Sequence, residues 1–216
     1  LAIWAKASSA VLVGVSRSTR DAFARLGCPV EYETSRDPAR LRDWLKLLRV
    51  HQWSKNILLV VPLILGQAFF QYHALLAVAV GFVAMGLVAS GTYVVNDISD
   101  IVADRLHQTK KMRPIARGAI DAGQAFCVAL VLILAGFVIM GTKSLPATGW
   151  LLAYLVGTLS YSLFFKSLPM IDVFILGGLY TLRVVIGICL AGTQLSHWLL
   201  MFCFFFFFFG YIYIYI

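Results

Sequence analysis

The sequence predicts an all-α integral membrane protein, a multi-span helical bundle preceded by a short α/β-like remnant. Three observations carry that expectation. Hydrophobic residues make up 61% of the chain and charged ones 13%, where a soluble domain is nearer about half apolar and about a quarter charged; mean hydropathy is +0.86. The apolar residues lie in long runs rather than at helix or strand periodicity, and the runs approach the roughly 17–25 residues of a bilayer-spanning helix. The basic residues behind the formal charge of +8 flank those runs, a pattern that sets membrane orientation, so no nucleic acid partner is expected.

Residues 1–40 differ in kind from the rest. Residues 10–15 read as a buried strand, 18–26 as a short helix and 29–32 as a second extended piece. Such a unit is similar to the tail of a HAD-like hydrolase domain, although no catalytic aspartate motif of that family is present. The alternative is a cytoplasmic leader without activity. Because the first residue is Leu, further sequence is expected upstream. Residues 41–56 form a basic amphipathic segment in which Trp44, Leu45, Leu48 and Trp53 alternate with Arg42, Lys46, Arg49 and Lys55. It is expected to lie in the membrane interface with its aromatics at headgroup depth.

Residues 57–216 hold six apolar spans, at 57–70, 74–95, 125–140, 147–165, 170–191 and from 198 onward. Crossing at each sorts the loops into two sets. One holds the N-terminal basic stretch, then Arg105, Lys110, Lys111, Arg113 and Arg117, then Lys166; the other holds Lys143. The Lys/Arg-rich side is expected to be cytoplasmic. Gly86 and Ser90 form a small-xxx-small pair that allows close helix approach. Cys28, Cys127, Cys189 and Cys203 show no ligand spacing and are read as packing residues. The end of the chain is unusual: Phe204 to Phe209 are all phenylalanine, and Tyr-Ile repeats to Ile216. It back-translates as a T-run followed by a TA repeat. We read it as a sequencing or contig-end artefact after about residue 203, against the alternative of a genuine lipid-facing helix.

The chemistry concentrates in Asn96-Asp97-Ile98-Ser99-Asp100-Ile101-Val102-Ala103-Asp104. If the helix of the second run continues here, Asn96, Asp97, Asp100 and Asp104 fall within an arc of roughly 100°. Three carboxylates and an amide oxygen on one face repel one another unless a cation joins them. Hard oxygen donors select Mg2+, which takes phosphate oxygens as further ligands. A bare solvated helix end would set these acids against the macrodipole for no gain. Lys110, Lys111, Arg113 and Arg117 follow in one loop around Pro114. They serve topology, and they also suit a diphosphate, for which Arg supplies bidentate donors. Lys166 closes the fourth run beside Tyr161; it reaches the same phosphates or snorkels as an anchor. Asp172 and Arg183 are further candidates, Arg183 because an ionisable group deep in an apolar run is functional by default. The histidines at 51, 73, 107 and 197 have no ligand spacing among themselves.

These residues resemble the UbiA superfamily of intramembrane prenyltransferases. The resemblance rests on Asn96-Asp97-x-x-Asp100-x-x-x-Asp104-Arg105, on Lys111-x-Arg113-Pro114-Ile115, and on Tyr161 to Lys166. The lead-in Arg49-x-x-Gln52-Trp53-x-Lys55-Asn56 and Asp104-Arg105-x-His107 are most similar to the decaprenyl-phosphate phosphoribosyltransferase branch, some of whose relatives carry a HAD-like domain upstream. The resemblance implies Mg2+ held by Asn96, Asp97, Asp100 and Asp104, with those three aspartates catalytic. It implies phosphates held by Lys110, Lys111, Arg113, Arg117, Tyr161, Lys166 and Arg183. The expected substrates are phosphoribosyl diphosphate as donor and an isoprenoid lipid, a polyprenyl phosphate, as acceptor; the alternative is a prenyl diphosphate donor with an aromatic or other acceptor. A bacterial inner membrane, with the N-terminus and the acidic motif cytoplasmic, is the expected location. The family has nine transmembrane helices and a second acidic motif after the sixth, so this chain is expected to be truncated and inactive as given. A lipid transporter without catalysis is the contrasting class, and it leaves four oxygen ligands on one helix face unexplained.

Overall fold

Long apolar runs fold as helices in lipid because every backbone polar group must be satisfied within its own segment. In the computed structural model, which describes residues 9–13, 15, 17–27, 29–34, 39–165, 171–194 and 196–215, that rule governs the chain from residue 72 onward. The spanning helices are α4 (Tyr72–Ser99), α6 (Ala122–Gly141), α7 (Leu145–Ser160) and α8 (Ile171–Ala191). Four described helices are long and apolar enough to cross a membrane, with α7 prolonged to Phe165 by a π-helical turn. A further helix, α9 (His197–Tyr215), packs on α8. Two helix starts carry side-chain caps. Asp121 accepts from the backbone N–H groups of Gly123 and Gln124 at 2.9 and 3.2 Å, and Ser144 Oγ accepts from Ala147 N–H at 3.3 Å. Both satisfy donors that a helix N-terminus leaves open.

The 28 residues of α4 span about 42 Å at ~1.5 Å each, more than the ~30 Å of a hydrocarbon core. Its last turns therefore project beyond the core, and these are the turns that carry Asn96 and Asp97. Asp100 interrupts the helical dihedrals (φ −93°, ψ 4°), and α5 (Ile101–Leu106) follows. The i→i−4 bonds nonetheless run through the junction, Asp100 N–H to Asn96 O at 3.0 Å and Asp104 N–H to Asp100 O at 2.8 Å. Helical backbone bonding thus continues from Asn96 to Asp104 through the interruption.

The N-terminal unit forms as expected: β1 (Ala10–Val13) and β2 (Val30–Thr34) pair in parallel across helix α1 (Arg17–Leu26). Ala10, Leu12 and Phe23 make its small core.

One expectation about the segment before α4 is corrected. The run 57–70 is not one helix. The chain passes through α2 (Leu41–Leu48), a 3-10 stretch Val50–Leu59, α3 (Val61–Leu65) and a 3-10 turn Ala68–Phe70. Pro62 cannot donate to an ongoing helix and starts α3 instead, while Gln67 takes a left-handed conformation (φ 53°) that ends it. Gly187 of α8 allows this: any Cβ there would meet the backbone of Leu59. Trp53, moreover, turns onto the bundle. It packs on α4, where a Cβ at Gly86 would stand 2.5 Å from its ring. Its Nε1 donates to Ser90 Oγ at 2.9 Å, and Ser90 Oγ donates to Leu48 O at 2.7 Å. The small pair Gly86 and Ser90 thus receives a tryptophan, because an indole with a satisfied N–H fills the notch as well as a helix would. The helix contact made by small residues lies elsewhere, between α4 and α6: a Cβ at Gly136 would stand 2.7 Å from Ala84 O, and one at Gly91 2.9 Å from Ala129 O.

On α9, Phe204, Phe207 and Phe208 meet Phe174 or Tyr180 of α8, while Phe205, Phe206 and Phe209 are exposed. Cys203 is buried, Cys189 half-buried and Cys127 exposed, none in a disulfide; Cys28 lies outside the described residues.

Candidate active site

Arg49, Asp97, Asp104 and Arg113 meet where α4 leaves the apolar core. Asp97 and Asp104 are 4% and 3% exposed. Asp97 Oδ1 accepts from Arg49 Nη2 at 2.5 Å and from Arg113 Nη1 at 3.2 Å. The same Arg113 nitrogen donates to Asp104 Oδ2 at 2.7 Å. Arg49 arrives from the C-terminus of α2 in a left-handed conformation (φ 49°, ψ 43°), and its guanidinium lies 5.0 Å from the Tyr93 ring centroid. A non-glycine residue in this conformation costs on the order of 1–3 kcal/mol and persists where its surroundings over-determine it. Here two partners, a buried carboxylate and a half-buried aromatic face, hold it. Beside these ion pairs lies a groove of about 350 Å³ lined by Lys46, Arg49, Gln52, Asp97, Thr109 and Arg113, among others.

A second space of about 200 Å³ opens on the other side of Arg49, within the bundle, with Lys55, Asn96, Tyr154, Tyr161 and Arg183 in its wall. Arg183 is 4% exposed. Its Nη2 donates to Tyr154 Oη at 2.8 Å, its Nη1 to Leu179 O at 3.1 Å and its Nε to Asn56 Oδ1 at 3.4 Å. The Tyr154 and Tyr180 ring centroids lie 4.8 and 5.1 Å from its central carbon. Neutral oxygens and π faces thus stabilise the cation, which leaves its charge available to an anion in the cavity. Tyr161 begins the π-helical turn that ends α7; such turns frequently sit at functional sites.

The residues singled out from sequence divide. Asn96, Tyr161 and Arg183 line the inner cavity, and Asp97 and Arg113 the outer groove, with Asp104 bound to Arg113. Asp100 is half-buried at the α4–α5 junction, and Asp172 is buried in the first turn of α8. Lys110 and Lys111 are exposed on a 3-10 turn, Lys110–Met112. Arg117 is drawn away from the acidic motif into an ion pair with Asp43 of α2. The backbone N–H of Arg40 and the Arg117 guanidinium together hold the Asp43 carboxyl below the usual carboxylate range. Lys166 lies outside the described residues. Sequence reasoning passed over Arg49, Lys55, Asn56 and Tyr154 as site residues. The signal for Arg49, Lys55 and Asn56 was present, since all three belong to the lead-in segment that carries the resemblance.

Asn96, Asp97, Asp100 and Asp104 offer only oxygen donors, the kind that suits Mg2+. Among the described residues, no group of three or more carboxylate, His or Cys side chains is drawn together as a ready ligand set. Two of the carboxylates are instead balanced by arginine.

The fold and this site define a polytopic membrane protein with an acidic, arginine-balanced cluster at one membrane face and a cation-lined cavity beneath it. A sequence profile of the UbiA prenyltransferase family matches residues 58–216, and the chain belongs to that family. It is 41% identical over 205 residues to the uncharacterized protein y4nM of Sinorhizobium fredii, covering 94% of this chain and 39% of that one. It is 38% identical over 172 residues to the decaprenyl-phosphate phosphoribosyltransferase of Corynebacterium glutamicum (76% of this chain, 51% of the relative). With its Mycobacterium tuberculosis counterpart it shares 34% over 170 residues (73% and 53%). The chain therefore spans between 39% and 53% of the length of these relatives. Among solved structures, a UbiA homolog from Archaeoglobus fulgidus bound to DMAPP and Mg2+ superposes with a TM-score of 0.65 at 22% identity, over 79% of this chain and 62% of that one. This likeness shows the fold.

Proposed function

We propose that the protein is a Mg2+-dependent transferase of the bacterial inner membrane that acts at the cytoplasmic face. It transfers phosphoribose from phosphoribosyl diphosphate to a polyprenyl phosphate. The observation that carries this reading is the pair of cation-lined spaces sharing Arg49 as a common wall. A donor with a diphosphate and a separate 5-phosphate, together with a phosphate-bearing acceptor, needs positive charge in more than one place. Arg113 and Lys46 supply it in the outer groove, and Lys55 and Arg183 in the inner cavity. The two relatives called decaprenyl-phosphate phosphoribosyltransferases support the same choice.

In the reaction the bond from the anomeric carbon to the diphosphate oxygen breaks, its electron pair leaving with the diphosphate. An oxygen of the lipid phosphate forms the new bond to that carbon. Asn96, Asp97, Asp100 and Asp104 would hold Mg2+, which neutralises charge on the departing diphosphate. Arg113 donates to the leaving oxygens, electrostatic stabilisation aimed at developing charge. Lys110 and Lys111 raise the local potential from the surface, Arg117 braces α2 through Asp43, and Lys166, which the resemblance assigns to the same phosphates, would join them. Arg183 and Lys55, with the Tyr154 and Tyr161 hydroxyls, orient the acceptor phosphate, and the apolar lipid tail leaves toward the membrane.

A second reading, prenyl transfer from a prenyl diphosphate to an aromatic or other acceptor, is favoured by the solved relatives, one bound to DMAPP and Mg2+ and one to GPP and Mg2+. The test supplies full-length protein with Mg2+, polyprenyl phosphate and radiolabelled phosphoribosyl diphosphate. Label in the lipid phase is expected. Label transfer only in a parallel reaction with radiolabelled prenyl diphosphate and 4-hydroxybenzoate reverses the choice of donor. No release of diphosphate in either reaction points to the transporter class.

A further inference from the structure

Two buried carboxylates seven residues apart require positive charge, and one atom supplies it to both. Arg113 Nη1 stands 3.2 Å from Asp97 Oδ1 and 2.7 Å from Asp104 Oδ2. A single cationic nitrogen between two carboxylates fills the seat that a small metal cation would take. The two arginines at this site are held differently. Arg49 is clamped by its left-handed backbone, the Tyr93 ring and its own 2.5 Å bond to Asp97. Arg113 reaches in from a surface loop, and its side chain borders the outer groove. Its backbone is anchored by the buried residues Pro114, Ile115 and Ala116, so movement belongs to the side chain alone.

Charge then dictates an order. With both arginines in place the two aspartates are formally balanced. Adding a divalent cation leaves a largely buried site with a positive excess, which half-buried Asp100 reduces but does not cancel, unless a guanidinium departs or an anion arrives. We propose that Arg113 and the divalent cation are exchangeable counter-ions of Asp97 and Asp104, and that diphosphate drives the exchange. The cation enters as the guanidinium swings out, and the released guanidinium is captured by the diphosphate oxygens. The proposal rests on the diphosphate-transferase reading above. It adds that the site takes metal and diphosphate together and binds metal alone weakly.

Equilibrium dialysis of full-length protein in detergent tests this, with Mn2+ as the probe metal, alone and with inorganic diphosphate. In the unmodified protein, diphosphate is expected to tighten protein-bound Mn2+ by about tenfold or more, and Mn2+ to tighten diphosphate by the same factor, since coupling is reciprocal. Arg113→Met is expected to bind Mn2+ alone severalfold more tightly and to lose most of the enhancement by diphosphate. Arg113→Lys, which retains a charge, is expected to keep binding of metal alone weak. Equal Mn2+ affinity with and without diphosphate in the unmodified protein overturns the exchange, and that measurement needs no variant. So does an Arg113→Met protein that binds Mn2+ alone no more tightly than the parent. Coupled binding without transfer of labelled phosphoribose leaves the exchange standing while the transferase reading falls. Transfer without coupling does the reverse.

Discussion

Asp100 differs from its neighbours in the motif because it is half-buried at the helix junction while Asp97 and Asp104 are buried. Removing its charge at nearly constant volume should therefore spare the fold. Asp100→Asn in full-length protein is expected to abolish Mg2+-dependent turnover with the melting temperature held; wild-type rates would remove Asp100 from the metal site. Tyr154 tests the other chamber. Its hydroxyl accepts from Arg183 at 2.8 Å, and hydrogen bonds to charged groups contribute about 1.5–3 kcal/mol. Tyr154→Phe should lower stability by about that amount while keeping the aromatic face. Thermal unfolding measures the loss, and a raised KM for the polyprenyl phosphate would tie Arg183 to the acceptor. Asp43 adds a pH dependence. Its carboxyl is held below the usual range by the Arg40 N–H and by Arg117, so its anchoring of α2 is complete above the ordinary carboxylate pKa of about 3.9. That anchoring fades as pH falls through the lower folded value. Acidification should loosen α2, read as proteolysis near residue 40, and Asp43→Asn should be loosened already at neutral pH.

At the scale of elements, the α4–α6 contact is made by absent side chains. Backbone lies behind the space at Gly136, with Ala84 O at 2.7 Å from any added Cβ, and a carbonyl in a helix cannot step aside cheaply. Gly136→Val is expected to cost about 1–3 kcal/mol, the range for overpacked cores. Gly149, where a Cβ meets nothing within 4 Å, should accept Ala with little change, and comparing the melting temperatures of the two variants checks both. The broken path through 50–70 is an element-scale result too. A straight helix there would leave Arg49 and Asn56 on a regular spiral. The 3-10 stretch instead brings Asn56 between α4 and α8, where its Nδ2 donates to Phe82 O at 3.3 Å and its Oδ1 accepts from Arg183.

For the whole molecule, connectivity places the ends of α4 and α7 and the starts of α6 and α8 at one face, with the Lys143 turn at the other. The loop charges follow the same division, and by the positive-inside rule we propose that the acidic face is cytoplasmic. In a cysteine-free full-length protein, Lys110→Cys should resist an impermeant thiol reagent added to intact cells, while Lys143→Cys should react. Labelling at position 110 from outside would invert the orientation.

Much of this was legible from residues alone, for a physical reason. Lipid permits few backbone solutions, so long apolar runs announce helices, and an amide at 96 with acids at 97, 100 and 104 falls on one face of any helix that contains them. Composition and spacing thus determined the membrane class, the strand–helix–strand unit and the acidic motif at the end of α4. Packing decided the rest. A run of apolar residues does not say that Pro62 and Gln67 will break it, nor that Gly86 will receive Trp53 rather than a helix. A loop of four cations does not say which one turns inward, since any of them matches a carboxylate in charge. Only the tertiary structure sends Arg113 to Asp97 and Asp104 and Arg117 to Asp43, and brings Arg49 to the wall between the two chambers. Those partners lie 9 to 74 residues apart in sequence, where neither helical periodicity nor local propensity reaches.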